Sequence, residues 1–225
     1  MTKGIKIAID GPAAAGKSTI AKITAEKLGY TYIDTGAMYR ALTHKALYRN
    51  INTSDGMELE KLLAQTEIVL LPSPEGQAVI VDGIDVSEDI RSQLVTANVS
   101  AVAAHSGVRC LMVDKQRQLA EGAGVVMDGR DIGTAVLPDA ELKIFMTASV
   151  EERAMRRHIE DESRGFITSL EQLKDEISER DRADMEREVS PLRQAEDAVL
   201  IDSTSMTIDE VAKKISELAE KRMRS

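Results

Sequence analysis

A chain of 225 residues that is 43% hydrophobic and 30% charged has the composition of a soluble globular protein, long enough to bury a substantial core as one α/β domain with insertions or as two small domains. Its formal net charge of −9 argues against general affinity for nucleic acid or membrane surfaces, yet it admits an anionic small molecule, because a few arginines make a local positive cleft in an acidic protein. The lone Cys110 allows no internal disulfide and the histidines (His44, His105, His158) lack metal-ligand spacing, so Cys110 is expected to be a small buried hydrophobe.

The first predicted element is a buried strand at Ile5–Asp10 (IKIAID), a short apolar run without a helical stripe. Lys3 and Lys6 reach Asp10 before any long apolar run, so no secretory leader or membrane span is expected and a reducing cytoplasm is the expected home. Gly11-x-x-x-x-Gly16-Lys17-Ser18 follows. This is the phosphate-loop pattern, in which glycines let backbone N–H groups wrap an anion, the lysine reaches the β and γ phosphates and the serine hydroxyl ligates magnesium. Ile20, Ile23, Lys27 and Leu28 lie near helical spacing and Gly29 is a natural stop, so a helix begins at the loop and points its partial positive charge at the phosphates. A strand before and a helix after are the context that the motif requires.

Further strands are predicted at Tyr30–Asp34, Val125–Asp128, Leu142–Met146 and Val199–Asp202, separated by helical patterns. That alternation predicts an α/β fold with a five-stranded parallel sheet, helices on both faces, and a ligand at the carboxyl ends of the strands. Asp10, Asp34 and Asp128 each end a strand; any of them can hold Mg²⁺ through its waters or serve as a turn or cap residue, with Asp128 the choice for the metal.

Two segments depart from the alternation. Glu67–Val86 is broken by Pro72, Pro74, Gly76 and then Asp82-Gly83, which predicts a small antiparallel meander with a tight hairpin. Glu151–Glu188 is highly charged; Ser149-x-x-Glu152 and Thr168-x-x-Glu171 read as capping boxes of two helices joined near Gly165. Eight arginines lie between Arg153 and Arg193, some of them on a solvated face supported by the pairs Glu152/Arg156 and Glu176/Arg180. A last helix is capped by Thr207-x-x-Glu210, with Val211, Ile215 and Leu218 facing inward.

The chain lacks the Asn-Lys-x-Asp guanine reader of GTP switches, and Asp128 is followed by Gly129-Arg130 rather than a water-activating glutamate. Arg40 and Arg130 instead lie just after predicted strands. A guanidinium fork suits a second phosphate. A donor and an acceptor phosphate facing each other describe phosphoryl transfer, which needs positioning and charge neutralisation more than a base.

DTGAMYRAL, DGRDIGT, KIFMTAS and ERDRADMEREVSPL, in that order after GPAAAGKS, make the chain resemble the bacterial cytidylate kinase family of P-loop kinases along nearly its whole length. The resemblance implies transfer of the ATP γ-phosphoryl group to CMP or dCMP, with UMP a poorer acceptor, by a cytoplasmic monomer that uses Mg²⁺. It implies a core of residues 1–36, 96–150 and 189–225, a nucleoside-monophosphate-binding insertion at 37–95 and a helical lid at 151–188. ATP would lie on Gly11, Pro12, Ala13, Ala14, Ala15, Gly16, Lys17, Ser18 and Thr19, with Arg156 and Arg157 as clamps from the lid or simply salt-bridged. Ser18 and Asp128 would serve the metal.

On the acceptor side the same pattern puts Arg40, Arg130 and Arg187 on the CMP phosphate, Ser100, Arg109 and Asp131 on cytosine, Asp184 on the ribose, and Arg180 between the two phosphates. Thr35 either touches substrate or caps the helix after it, capping being the simpler reading. Lys17, Arg130, Arg180 and Arg187 are the expected catalytic set. Two alternatives stay open: a small kinase of the same fold acting on UMP, AMP or a metabolite such as shikimate, and a regulatory protein that binds ATP without transferring phosphate.

Overall fold

The computed structural model describes residues 4–73, 76–122, 124–163 and 165–224; Lys3, Pro74 and Arg164, which entered the reading above, lie outside them. Eight strands and eight α-helices are present among the described residues: β1 Lys6–Asp10, α1 Lys17–Leu28, β2 Thr31–Asp34, α2 Thr35–Tyr48, α3 Gly56–Ala64, β3 Ile68–Ser73, β4 Gly76–Val81, β5 Ile84–Asp85, α4 Gln93–Ala104, α5 Ser106–Leu119, β6 Val125–Gly129, β7 Leu142–Thr147, α6 Val150–Ser163, α7 Leu170–Glu186, β8 Val199–Asp202 and α8 Ile208–Met223. A single turn of 3-10 helix at Asp89–Arg91 and a π-turn at Ile132–Val136 complete them.

The expected five-stranded parallel sheet has the order β2-β6-β1-β7-β8. Its central strand β1 runs between β6, with Ile7 opposite Val126, and β7, with Ile7 opposite Leu142. Ile7, Ala8 and Ile9 are fully buried, as a near-continuous apolar strand covered on both faces should be. The carboxyl end of β1 therefore delivers Asp10 and the loop after it to the end of the sheet where ligands bind.

Two compact units make up the chain. One comprises Met1–Thr31 with Ala123–Ser225, the other Tyr32–Gly122. In the second, α4 packs on α2 and α5 on α3 around Met38, Leu42, Leu59, Leu63, Val99, Val102, Val108 and Met112. Residues 96–122, expected in the core, lie in this unit, where Val99 and Val102 of α4 join that cluster. The antiparallel meander is present as β3-β4-β5. Asp82 and Gly83 join β4 to β5 with φ of 49° and 83°, the left-handed pair that a two-residue hairpin turn demands.

In the first unit, α6 and α7 pack together through Ala154, Leu173 and Ile177, joined near Gly165 as expected. Ser149 caps α6 by accepting from Glu152 N. The cap of α7, however, is Ser169, which accepts from Gln172 N. Thr168 is held back from that role by the fold: it is buried and its carbonyl lies 3.1 Å from His158 Nδ1. The capping box on α8 is complete: Thr207 Oγ1 accepts from Glu210 N, and Thr207 N donates to Glu210 Oε2. Val211 and Ile215 are buried, with Ala219 completing the stripe, whereas Leu218 is half-buried. Thr207→Ala should lower unfolding free energy by about 1 kcal/mol, read as a reduced urea midpoint with unchanged denaturant slope.

Candidate active site

The loop between β1 and α1 is shaped by backbone constraints. Gly11 has φ of 149°, and a Cβ there would fall inside the carbonyl oxygen of Met146 on β7. Ala14 and Gly16 adopt φ of 56° and 87°, which turns successive N–H groups to one side as an anion-binding nest. Helix α1 opens at Lys17 with no side-chain cap on its first turn, leaving those N–H groups and the helix dipole for an anion.

Lys17 is 5% exposed, and its Nζ donates to Pro12 O at 2.7 Å. Burial, followed by the nearby Arg130 and Arg180 charges, pushes its pKa down to about 7, against the pull of Asp128 and Asp10. A bound polyphosphate reverses that balance by supplying negative charge beside the ammonium. Ser18 Oγ donates to Asp128 Oδ2 at 2.8 Å.

The other two strand-end aspartates do different work. Asp34 caps α2 through Ala37 N. Thr35 is thus the first residue of α2 rather than its cap, and it is buried. Asp10 is buried and receives two backbone donors at 2.7 Å each, Ile132 N on Oδ1 and Gly133 N on Oδ2. It clamps the loop that carries Arg130 and Asp131. Burial raises its pKa to about 6 despite those two bonds.

Beyond that clamp lies a dense ionic cluster. Arg130 Nε donates to Asp184 Oδ2 at 2.8 Å. Arg187 lies with Nη1 3.5 Å from Asp184 Oδ1 and Nη2 3.7 Å from Asp131 Oδ1, while its Nε donates to Ser190 O. Burial works against the charge on Asp184, but Arg130 and Arg180 outweigh it and hold the carboxyl below its ordinary range. Burial likewise opposes the charge on Arg130, and Asp184, Asp128 and Asp181 more than offset it. Lys17, Ser18, Asp128, Arg130, Asp131, Arg180, Asp184 and Arg187 therefore form one electrostatic neighbourhood within the first unit.

The second unit assembles the remaining residues by itself. Arg40 Nη1 donates to Thr96 Oγ1 on α4 at 2.8 Å, and half-buried Ser100 stands one turn further along the same helix. Arg109 is 2% exposed, with Nη1 on Ala103 O at 3.0 Å and its guanidinium carbon 5.4 Å from the Tyr39 ring centroid. This is a desolvated, aromatic-backed cation. Cys110, its neighbour, is exposed rather than buried, because the inward face of α5 is Val108, Arg109, Met112, Val113 and Gln116.

Arg156 pairs with Glu152 and also donates to Ala15 O at 3.3 Å and to Ser203 O at 2.7 Å, so it grips the loop from behind. Arg157 pairs with Glu160 and Asp161. Glu176 accepts from Gln172 Nε2. Sequence reasoning singled out neither Arg153 nor Asp181, both buried, nor Thr96 and Tyr39. Arg153 was legible only as the residue next to Ala154 on the inner stripe of α6.

Residues 7–221 match the family model described as cytidylate kinase. The chain belongs to the cytidylate kinase family. It is 60% identical to a cytidylate kinase of Lysinibacillus sphaericus over 99% of this chain and 100% of that one, and 57% identical to a cytidylate kinase of Bacillus subtilis over the full length of both. Among solved structures it resembles a shikimate kinase from Bacteroides thetaiotaomicron, at 15% identity with a TM-score of 0.50, covering 96% of this chain and 98% of that one. That likeness concerns the fold, a P-loop kinase sheet.

The Asp10 clamp has a measurable pH signature in this cytidylate kinase family member. A carboxyl whose pKa rises on folding favours the folded state most below its unfolded pKa, 3.8, and loses that contribution as pH rises through about 6. Between pH 6 and 5 the stability of the native chain relative to Asp10→Asn should therefore increase by on the order of 1 kcal/mol. Urea unfolding of both proteins at the two pH values checks it.

Proposed function

We propose that this chain transfers the γ-phosphoryl group of ATP to CMP or dCMP, giving ADP and CDP or dCDP, with UMP a poorer acceptor. The observation that carries the reading is the gathering of Lys17, Arg130, Arg180 and Arg187 beside a backbone nest, with Asp184 on the Arg130 fork and Asp131 beside Arg187. Such a set neutralises charge on a phosphoryl group in flight, and an ionised phosphate acceptor needs no base. Family membership and 57% to 60% identity over the whole chain support the same reaction.

In this reading Gly11, Pro12, Ala13, Ala14, Ala15, Gly16, Lys17, Ser18 and Thr19 hold the ATP phosphates, while Arg40, Arg130 and Arg187 hold the CMP phosphate. Arg180 reaches both phosphates, Ser100, Arg109 and Asp131 read cytosine, and Asp184 reads the ribose. Thr35, the first residue of α2, contacts the acceptor. Arg156 and Arg157, as lid residues, reach ATP by exchanging their carboxylate partners; residues 151–188 close over the site and exclude water.

The hydroxyl of Ser18 and the carboxylate of Asp128 are adjacent oxygen donors, the type that Mg²⁺ takes. Ser18 would ligate the ion and Asp128 would hold its water. When bound, Mg²⁺ neutralises phosphate charge. No helix among the described residues is long and apolar enough to cross a membrane, and the family resemblance supports a cytoplasmic monomer.

The first test is ADP formation from Mg·ATP with CMP, dCMP, UMP, AMP, GMP or no acceptor. Fast turnover with CMP and dCMP, slower with UMP and little otherwise, is expected; activity only with another acceptor would overturn the base assignment, and binding without transfer would overturn the reaction. Lys17→Ala should lose roughly 10³-fold in kcat with the fold retained, as removal of a positioned charge does. Cytosine presents an amine where uracil presents a carbonyl, so Asp131→Ala should weaken CMP by about 1–3 kcal/mol and spare ATP, as read from separate titrations.

A further inference from the structure

One buried cation beside the phosphate loop has no part in that mechanism. Arg153, in the first turn of α6, is 4% exposed. Its Nε donates to Ala148 O at 3.0 Å, its Nη1 to Ala13 O at 3.1 Å, and its Nη2 pairs with Asp181 Oδ2 at 2.6 Å. One guanidinium fork thus touches the turn before α6, the outer side of the phosphate loop and α7. Asp181 lies between Arg180 and Asp184 in sequence and is itself buried. The neighbouring loop residue, Ala14, packs against the Ala154, Leu173 and Ile177 cluster between the two helices.

We propose that Arg153 is a positioning residue that fixes the phosphate loop to α7 through Asp181, so that the ATP loop and the acceptor-side residues of α7 are held in one register. The inference rests on the phosphoryl-transfer reading for the roles of Arg180 and Asp184. A loop N–H group faces the anion only if the peptide carbonyl is turned away, and Arg153 holds the Ala13 carbonyl in that turned-away position. A lysine cannot replace it, since one ammonium on a flexible stem does not match three acceptors set around a planar fork. The link is also directional: loosening it frees the Ala13 carbonyl and the phosphate loop, whereas Asp184, held by Arg130, and Arg187, anchored on Ser190, keep their places, so the ATP side loses its register with an acceptor side that is itself intact.

The test is a comparison of wild type with Arg153→Lys, Arg153→Met, Asp181→Asn and the double variant Arg153→Met/Asp181→Leu. The double removes both charges, so neither is left buried and unpaired, and it separates folding from function. Melting temperature, steady-state kinetics with each substrate varied, and titration of CMP with and without a non-hydrolysable ATP analogue are measured in parallel. In the wild type, bound analogue should tighten CMP. Every variant should raise KM for ATP and lower kcat, by roughly tenfold or more for Arg153→Met. CMP affinity without analogue should stay within about twofold, and the tightening by analogue should disappear. The double variant should regain thermal stability and keep the kinetic loss.

Kinetic constants restored along with stability in the double, or Arg153→Met within about twofold of wild type in kcat and KM, would overturn the proposal. So would a wild type whose CMP affinity ignores the analogue. Should the wild type fail to phosphorylate CMP, the transfer reading falls on its own, and amide exchange of Ala14–Lys17 with ATP alone still decides whether Arg153 orders the loop: faster exchange in Arg153→Met supports the proposal, unchanged exchange overturns it.

Discussion

A loop that binds phosphate with backbone N–H groups must dispose of its carbonyls on the other side, and each buried carbonyl left without a donor costs free energy. Here that constraint is met by cations and a hydroxyl. Lys17 takes Pro12 O, Arg153 takes Ala13 O, and Arg156 and Ser203 take Ala15 O. The donors come from the loop itself, from α6 and from the turn after β8. The loop conformation is therefore a property of the first unit, and no segment of eight residues could hold it alone.

The same economy governs charge. Lys17, Arg130, Arg180 and Arg187 would repel one another if left bare, and burying any one of them unpaired would carry a severe desolvation penalty. Asp128, Asp184 and Asp131 are interleaved so that each cation has an anion nearby. In the proposed reaction, substrate phosphates would compete for forks already oriented by carboxylates, which is preorganisation rather than rearrangement. Asp10 is the exception. It holds backbone rather than a cation, and burial rather than pairing dominates its ionisation.

What the sequence made legible was local. The phosphate loop, the apolar strands, the Asp82-Gly83 hairpin and the Thr207 capping box each announce themselves within a few residues, because the geometry they need is set by φ angles and near-neighbour hydrogen bonds. Long-range pairings were not legible. The Asp10 clamp spans 122 and 123 residues in sequence and Arg153 reaches back 140 to Ala13. In text, Arg153 is one charged residue among many on a charged helix. Residues 96–122 were misassigned for a related reason: α4 and α5 carry apolar stripes that suit either unit, and only their partners on α2 and α3 decide between them. The cap of α7 fell one residue later than its motif because His158 and burial had already engaged Thr168.

Cys110 sits on the outward face of α5, directly after the inward-facing Arg109, and it is the chain's single thiol. A maleimide fluorophore or spin probe will therefore attach at one place without cysteine engineering, on the side of the helix turned away from the Tyr39–Arg109 contact. That makes the native sequence its own labelled reporter for the second unit, ready for measurements of probe mobility or emission as nucleotides are added.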